Sequence, residues 1–146
     1  MSRGEKSGRL ARAEFGASGT LMGFMEEYPD EESCERRLLE ELFPGGFVCP
    51  RRGCPTCPRV RGRAHKWQCT RCSRQFSVTA GTMMERTHLP LRDWFLAIWL
   101  CANDRRGLSA AQLQRMVGCN ERSVGRMLRR VRCAMGGSER PRRARR

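Results

Sequence analysis

The chain lacks an apolar run long enough to cross a lipid bilayer. Its main apolar segment, Trp94 to Ala102, has nine residues, whereas a membrane-spanning helix needs about 20. The first 24 residues also lack the uninterrupted apolar stretch of a secretory leader. The sequence therefore predicts a protein that works in the reducing cytoplasm, without a membrane partner.

Acidic residues are scarce in the C-terminal part of the chain. After Asp104 the only carboxylates are those of Glu121 and Glu139. A site that transfers phosphoryl groups with two metal ions needs several carboxylates held on a sheet. No such set exists here, and we expect that this chain is not an enzyme and has no catalytic residues.

Positive charge, by contrast, is abundant. The sequence has 29 Lys and Arg residues against 15 Asp and Glu, which gives a formal net charge of +14, and arginine supplies nearly all of it. Arginine suits planar contacts to phosphate and guanine, so the composition favours double-stranded DNA as a partner. RNA is less favoured, because the sequence shows no aromatic-rich platform for a single strand. The alternative is a basic surface that is ribosomal in type or only solubilising.

The nine cysteines are the second abundant feature, and five of them fall in two short-spaced groups. In a reducing compartment, such groups favour a structural zinc ion over disulfides. Cys69 and Cys72 form one Cys-x-x-Cys pair, and Cys54 and Cys57 form another. We predict these four thiolates as the zinc ligands, with Cys49 as the alternative ligand.

Internal symmetry is the argument for Cys49. This residue follows Phe47-Val48 in the same way that Cys69 follows Trp67-Gln68. The symmetry would require a second cysteine at position 52, where the chain has Arg52. His65 is expected to be merely polar, and a full set of thiolates would leave no open position for catalysis.

The order of segments predicts a small α+β protein. We expect a disordered basic N-terminus over 1–29, an acidic helix over 30–43 capped by Asp30, a zinc ribbon over 44–88, and a disordered basic tail over 136–146. The acids of the helix are expected to form a solvated face rather than a partner surface. In the ribbon we expect three short strands, near Phe47-Val48, Lys66 to Gln68 and Phe76 to Thr79. Its minimal core is expected to consist of Trp67, Phe76 and Val78.

The apolar periodicity and capping residues of 89–135 predict three helices. The first runs from about Leu91 to Asn103, and the second starts at the cap Ser109, three residues before its partner Gln112. Gly118 is expected to end the second helix with a positive φ, and Asn120 to cap the third. This arrangement is typical of a helix-turn-helix, although an ordinary three-helix bundle with a basic face has the same periodicity.

The third helix has a clear division of faces. Apolar residues at positions 124, 127, 128 and 131 form an inward stripe. The polar residues lie on its other faces, where a helix that reads the major groove would present them. We predict as DNA-binding residues Arg122, Ser123, Arg126, Arg129 and Arg130, and we expect Arg132 to contact phosphate.

Three joined motifs carry a resemblance to a known family. They are Cys-x-x-Cys-x-x-x-Phe-Ser-Val-Thr-x-Gly-Thr over 69–82, Leu-Pro-Leu-x-x-Trp over 89–94 and Gly-Leu-Ser-Ala-x-Gln-Leu over 107–113. Over about residues 30–135 the chain resembles the N-terminal half of bacterial insertion-sequence transposases. Those proteins begin with a zinc ribbon and end in a DDE-type, RNase-H-like catalytic domain. The resemblance implies recognition of the terminal inverted repeats and a bacterial, nucleoid-associated location.

The chain departs from that family in two places. The first knuckle of the family is Cys-Pro-x-Cys-Gly, so its second ligand is missing at Arg52, and Cys54 or Cys57 is expected to substitute. The sequence also stops where the catalytic domain would begin. We therefore expect the DNA-binding portion of a transposase, truncated before its catalytic domain, with a second copy or a full-length transposase as a further partner.

Two other functions fit the same features. One is a stand-alone transcriptional regulator or an inhibitor of transposition, acting through the same DNA sites or through mixed oligomers. The other is a zinc-dependent adaptor for protein interactions that does not contact DNA.

Overall fold

The computed structural model describes residues 19–49, 51, 53–103 and 107–135. Within them the chain is a small α+β protein with five helices and one two-stranded antiparallel sheet. The disorder expected for 1–18 and for the tail over 136–146 lies outside the described residues. No helix in the described ranges is both long and apolar enough to span a membrane.

The first helix, α1, spans Leu21–Glu27 and is capped by the Thr20 hydroxyl, which accepts a hydrogen bond from the Gly23 N–H at 3.2 Å. The prediction of disorder over 1–29 is therefore wrong for this segment. The helix is stabilised by a distant contact that local periodicity does not show. Phe24 is buried against Trp99, with ring centroids 5.7 Å apart.

The acidic helix, α2, spans Glu31–Leu42, and the predicted cap at Asp30 is confirmed. The Asp30 carboxylate accepts a hydrogen bond from the Ser33 N–H at 2.8 Å. The inward face of the helix includes Cys34 and Leu38, both fully buried. The helix ends at Leu42, and the chain then turns through Gly45 and Gly46, both of which have a positive φ.

The sheet has two strands, β1 (Lys66–Gln68) and β2 (Gln75–Ser77), in the register that pairs Trp67 with Phe76. The third strand predicted at Phe47-Val48 is wrong. Its place beside β1 is taken by the segment around Arg59, which forms an isolated bridge with Trp67. The Phe47 side chain packs against other aromatic rings, and this contact does not require the backbone to form a strand.

The three predicted C-terminal helices are confirmed as α3 (Leu91–Asn103), α4 (Ala110–Val117) and α5 (Glu121–Ala134). Ser109 and Gln112 form the expected capping box, and Asn120 caps α5. Gly118 ends α4 in the left-handed conformation, with φ 69° and ψ 12°. The inward stripe of α5 is confirmed by its buried residues, Val124, Met127, Leu128 and Val131.

One hydrophobic core serves both parts of the chain. Val78, which was expected to belong to a small separate core, is fully buried in the same cluster as residues of α3 and α5. Trp67 and Phe76 of the sheet pack against that cluster while remaining half-buried. The cysteine-bearing segment therefore buries part of its apolar surface against the helices.

Two carboxylates of α2 join the sheet region to the helices. The Glu35 side chain is fully buried and accepts hydrogen bonds from the Arg59 guanidinium, at 2.7 and 3.1 Å. The Nδ1 atom of His65 lies 3.0 Å from the same carboxylate. Glu31 accepts from the backbone N–H groups of Leu91, at 2.6 Å, and of residue 92, at 3.2 Å, and so caps the start of α3.

These contacts correct two expectations. The acids of α2 do not all form a solvated face: Glu32 is exposed, whereas Glu31 and Glu35 hold other parts of the chain. His65 is more than a polar residue on the approach to the cysteines, because it pairs with a buried carboxylate.

Replacing Glu35 by alanine should show how much the buried carboxylate contributes to stability. We expect Glu35→Ala to lower the free energy of unfolding by about 3 kcal/mol, since it removes the acceptor for Arg59 and leaves a cavity. Glu32→Ala is the control: its carboxylate is exposed and pairs across one helix turn with the exposed Arg36, so we expect a change within about 0.5 kcal/mol. Urea unfolding monitored by circular dichroism measures both. Equal effects from the two variants would contradict the role given to Glu35.

Gly125 offers a second stability test, because it lies inside α5 with open space where a Cβ would project. We expect Gly125→Ala to raise the free energy of unfolding by about 0.5–1 kcal/mol. Gly118→Ala is the matched control and should destabilise by about 1 kcal/mol, because the positive φ disfavours any side chain. Thermal unfolding separates the two signs, and a loss of stability in Gly125→Ala would contradict the open space seen at that position.

Candidate metal centre and nucleic-acid interface

Three cysteine sulfurs come together beside the sheet. The Sγ atoms of Cys49, Cys69 and Cys72 all lie within 4.8 Å of one another, and those of Cys49 and Cys72 are 3.5 Å apart. Sulfurs bound tetrahedrally to zinc at about 2.3 Å lie about 3.8 Å from each other. The spacing of the three thiols therefore fits a metal ion, although its identity does not follow from the spacing alone.

The loop that carries Cys69 and Cys72 has a defined backbone pattern. The Cys69 N–H donates to the carbonyl oxygen of Arg74 at 3.0 Å, and the Ser73 N–H donates to the carbonyl oxygen of Cys69 at 3.1 Å. Ser73 has a φ of 57°, which is uncommon for a residue other than glycine. These bonds fold the loop tightly and direct two sulfurs toward one point.

The loop that begins at Cys49 repeats this pattern. The Cys49 N–H donates to the carbonyl oxygen of Cys54 at 3.0 Å, and the Gly53 N–H donates to the carbonyl oxygen of Cys49 at 2.8 Å. Gly53, the counterpart of Ser73, has a φ of 64°. The internal symmetry noted in the sequence therefore extends to the backbone hydrogen bonds, and it places Cys49 and Cys69 at equivalent positions.

The preferred pair from the sequence, Cys54 and Cys57, lies next to this group of three. Cys54 is buried, and its Sγ is 3.2 Å from the Thr70 hydroxyl. The turn that contains these cysteines is held against the second loop, because the Thr70 N–H donates to the carbonyl oxygen of Thr56 at 3.3 Å. Cys57 is only half-buried. The structure thus joins the alternative ligand Cys49 with Cys69 and Cys72, while the buried Cys54 contacts Cys69 and Cys57 is partly exposed.

Hydrogen bonds and burial shift the pKa values of the thiols in different directions. The Thr70 hydroxyl, followed by the Thr56 backbone, lowers the pKa of Cys54. Burial raises the pKa of Cys57, and the neighbouring thiols add to this effect. At Cys69 a backbone hydrogen bond from Cys72 lowers the pKa, but burial and the adjacent thiols outweigh it, so the pKa is raised. At Cys57 and Cys69 the surroundings therefore disfavour the thiolate form unless a cation neutralises it.

Three aromatic rings pack beside the cysteines. The rings of Phe47 and Phe76 are stacked, with centroids 5.2 Å apart, and Phe43 meets both nearly edge-on, at 4.9 and 5.7 Å. Sequence reasoning included Phe76 in a small core but missed the other two. The only available signal was their position on either side of the Pro44-Gly45-Gly46 turn, which brings them back toward each other.

The outer face of α5 carries a row of arginines. Arg122, Arg126 and Arg129 are exposed and occupy positions i, i+4 and i+7, opposite the buried stripe. These three predicted DNA-binding residues thus share one face of the helix. The row begins in the first turn of α5, directly after the Asn120 cap.

The other arginines and the serine of α5 make local contacts. The Arg130 guanidinium donates to the carbonyl oxygens of Met83 and Glu85, at 3.1 and 3.3 Å, and the Arg132 guanidinium donates to that of Leu108 at 2.7 Å. Ser123 is half-buried, and its N–H donates to the Asn120 cap. These residues hold the backbone around the helix.

Comparisons of the chain with protein-family models, with curated proteins and with solved structures find no match. The function is therefore argued from the cysteine cluster and the arginine row themselves.

Proposed function

We propose that this protein binds double-stranded DNA, with α4 and α5 acting as a helix-turn-helix and α5 lying in the major groove. The observation that carries the proposal is the row formed by Arg122, Arg126 and Arg129 on the exposed face of α5. The opposite face of the same helix is buried, so the row is held at a fixed orientation. The left-handed Gly118 provides the tight turn that such a pair of helices needs.

The roles within the row follow from position. Arg122 and Arg126 lie nearer the N-terminus of α5, the part of a recognition helix that reaches base edges. Arginine pairs with guanine through two hydrogen bonds, which confers specificity. Arg129 lies further along the helix and suits a phosphate contact, which positions the protein without reading sequence.

We further propose that the cysteine cluster binds one structural zinc ion, held by Cys49, Cys69, Cys72 and Cys54. A set of sulfur ligands without oxygen donors favours zinc. Cys54 is the better fourth ligand because it is buried and contacts Thr70 of the second loop, whereas Cys57 is half-exposed. When bound, the ion would hold the two loops together and contribute folding free energy.

The biological target that fits best is the terminal inverted repeat of an insertion sequence. Its support is the resemblance of the three joined motifs to the recognition half of transposases. A transcriptional regulator or an inhibitor of transposition would use the same arginine row, and the DNA sequence that is bound distinguishes these functions. If the protein were an adaptor that never contacts DNA, the arginine row would have no role.

Substitution in the arginine row tests the DNA-binding proposal. We expect Arg126→Ala to weaken binding to inverted-repeat DNA by about 1–3 kcal/mol, while binding to scrambled duplex changes little. Arg36→Ala removes the same charge from an exposed site on the acidic helix and should leave both affinities unchanged. Fluorescence anisotropy at several salt concentrations gives the values, and six phosphate contacts would produce a log–log salt slope of about −5. Equal affinity of the wild-type protein for both DNAs would remove the claim of specific recognition.

Metal analysis of cysteine variants tests the ligand set. We expect one zinc ion per wild-type chain by mass spectrometry of the metal, and loss of tight binding in Cys49→Ser and Cys54→Ser. The matched control is Cys57→Ser, which alters a neighbouring, half-exposed thiol and should keep the ion. Cobalt(II) absorption would report four sulfur ligands in the wild type and fewer in Cys54→Ser. Full zinc retention in Cys49→Ser would contradict the proposed cluster.

A further inference from the structure

A cleft of about 440 Å³ opens beside the cysteine cluster. Its lining includes the packed rings of Phe43, Phe47 and Phe76 and the cations Lys66 and Arg74, and two cysteines of the cluster, Cys49 and Cys69, close it on one side. No residue of α5 lines it, so the cleft is a separate surface from the arginine row.

The charge of the lining is one-sided. Apart from the proposed zinc ligands Cys49 and Cys69, the charged residues among those described in the lining are two cations, Lys66 and Arg74, with no carboxylate. Both cations are close to the sheet: Lys66 begins β1, and Arg74 directly precedes β2. A ligand that suits this lining carries negative charge next to a flat apolar group.

A single strand of nucleic acid has that chemistry. Its bases have flat faces that stack on aromatic side chains, and its phosphates attract a basic groove. The sequence indicated no aromatic platform, because Phe76 is far along the chain from Phe43 and Phe47 and joins them only in the folded protein.

We propose that this cleft binds an unpaired nucleobase of a single DNA strand, with the flanking phosphates on Lys66 and Arg74. The inference rests on the proposed function in taking DNA as the ligand, and extends it from the duplex to a single-stranded end. In a duplex with an unpaired overhang, the paired part would bind α5 while the overhang binds the cleft.

The two cations have an alternative role, which is to offset the charge of the nearby thiolates. The experiment must therefore measure zinc as well as DNA. If charge compensation were their only role, Lys66→Gln combined with Arg74→Gln would lower zinc retention and leave single-strand affinity unchanged.

The test uses the full zinc-loaded chain and an oligothymidylate with one central 2-aminopurine, whose fluorescence falls when it stacks. We expect quenching in the wild type and about tenfold weaker binding in the Lys66→Gln, Arg74→Gln double variant, with the salt slope reduced by about 1.4. Duplex affinity and zinc content should stay within about twofold of wild type. The matched control is Arg122→Gln with Arg129→Gln, which removes the same charge from α5 and should weaken the duplex complex instead.

A Phe43→Leu variant adds a test of stacking, since leucine keeps apolar volume but removes the ring. It should restore much of the 2-aminopurine fluorescence while zinc content is unchanged. The proposal is overturned if the wild type does not quench the probe, or if both double variants weaken single-strand binding equally. Loss of duplex binding in the wild type, with quenching intact, would instead remove the major-groove proposal and leave the cleft in place.

Discussion

The buried carboxylate of Glu35 is the constraint on which the arrangement of the chain depends. A charge without solvent contact is costly unless it is paired, and here Arg59 and His65 supply the partners. These partners come from the segment that leads into the sheet, so the interaction fastens that segment to α2. Glu31, one turn earlier on the same helix, caps α3. One short acidic helix thus holds both the cysteine-bearing region and the helices.

The cysteine-bearing region has a small core of its own. Val78 contributes to the helical core, and among the described residues the rings of Phe43, Phe47 and Phe76 pack next to the cysteines. Such a small cluster buries too little apolar surface to fold alone. Attachment through Glu35, shared burial through Val78 and a bound metal ion would each supply part of the missing stability. A sheet of two strands with three residues each is therefore sufficient.

The features that sequence could predict are those encoded by neighbouring residues. Caps at Asp30, Ser109 and Asn120 and the turn at Gly118 mark the ends of helices through local hydrogen bonds, and all four were found as predicted. The errors arise from distant contacts. The helix around Phe24 depends on Trp99, and the burial of Glu35 depends on Arg59, which no local pattern reveals. Spacing favoured Cys54 with Cys57 as ligands, and that choice stays a prediction. The folded chain brings Cys49 to Cys69 and Cys72, as the repeated order of aromatic, intervening residue and cysteine indicated.

The arginines of α5 all add to the net charge, but they differ in what their side chains contact. Arg122, Arg126 and Arg129 point away from the buried stripe, and they are the residues on which major-groove recognition would depend. Arg130 and Arg132 lie on the flanks of the helix, where their guanidinium groups reach the carbonyl oxygens of other segments. A guanidinium has five N–H donors and a planar shape, so it satisfies backbone acceptors as readily as phosphates. Angular position on the helix, rather than residue type, therefore separates the arginines of the exposed row from those that hold the helix in place.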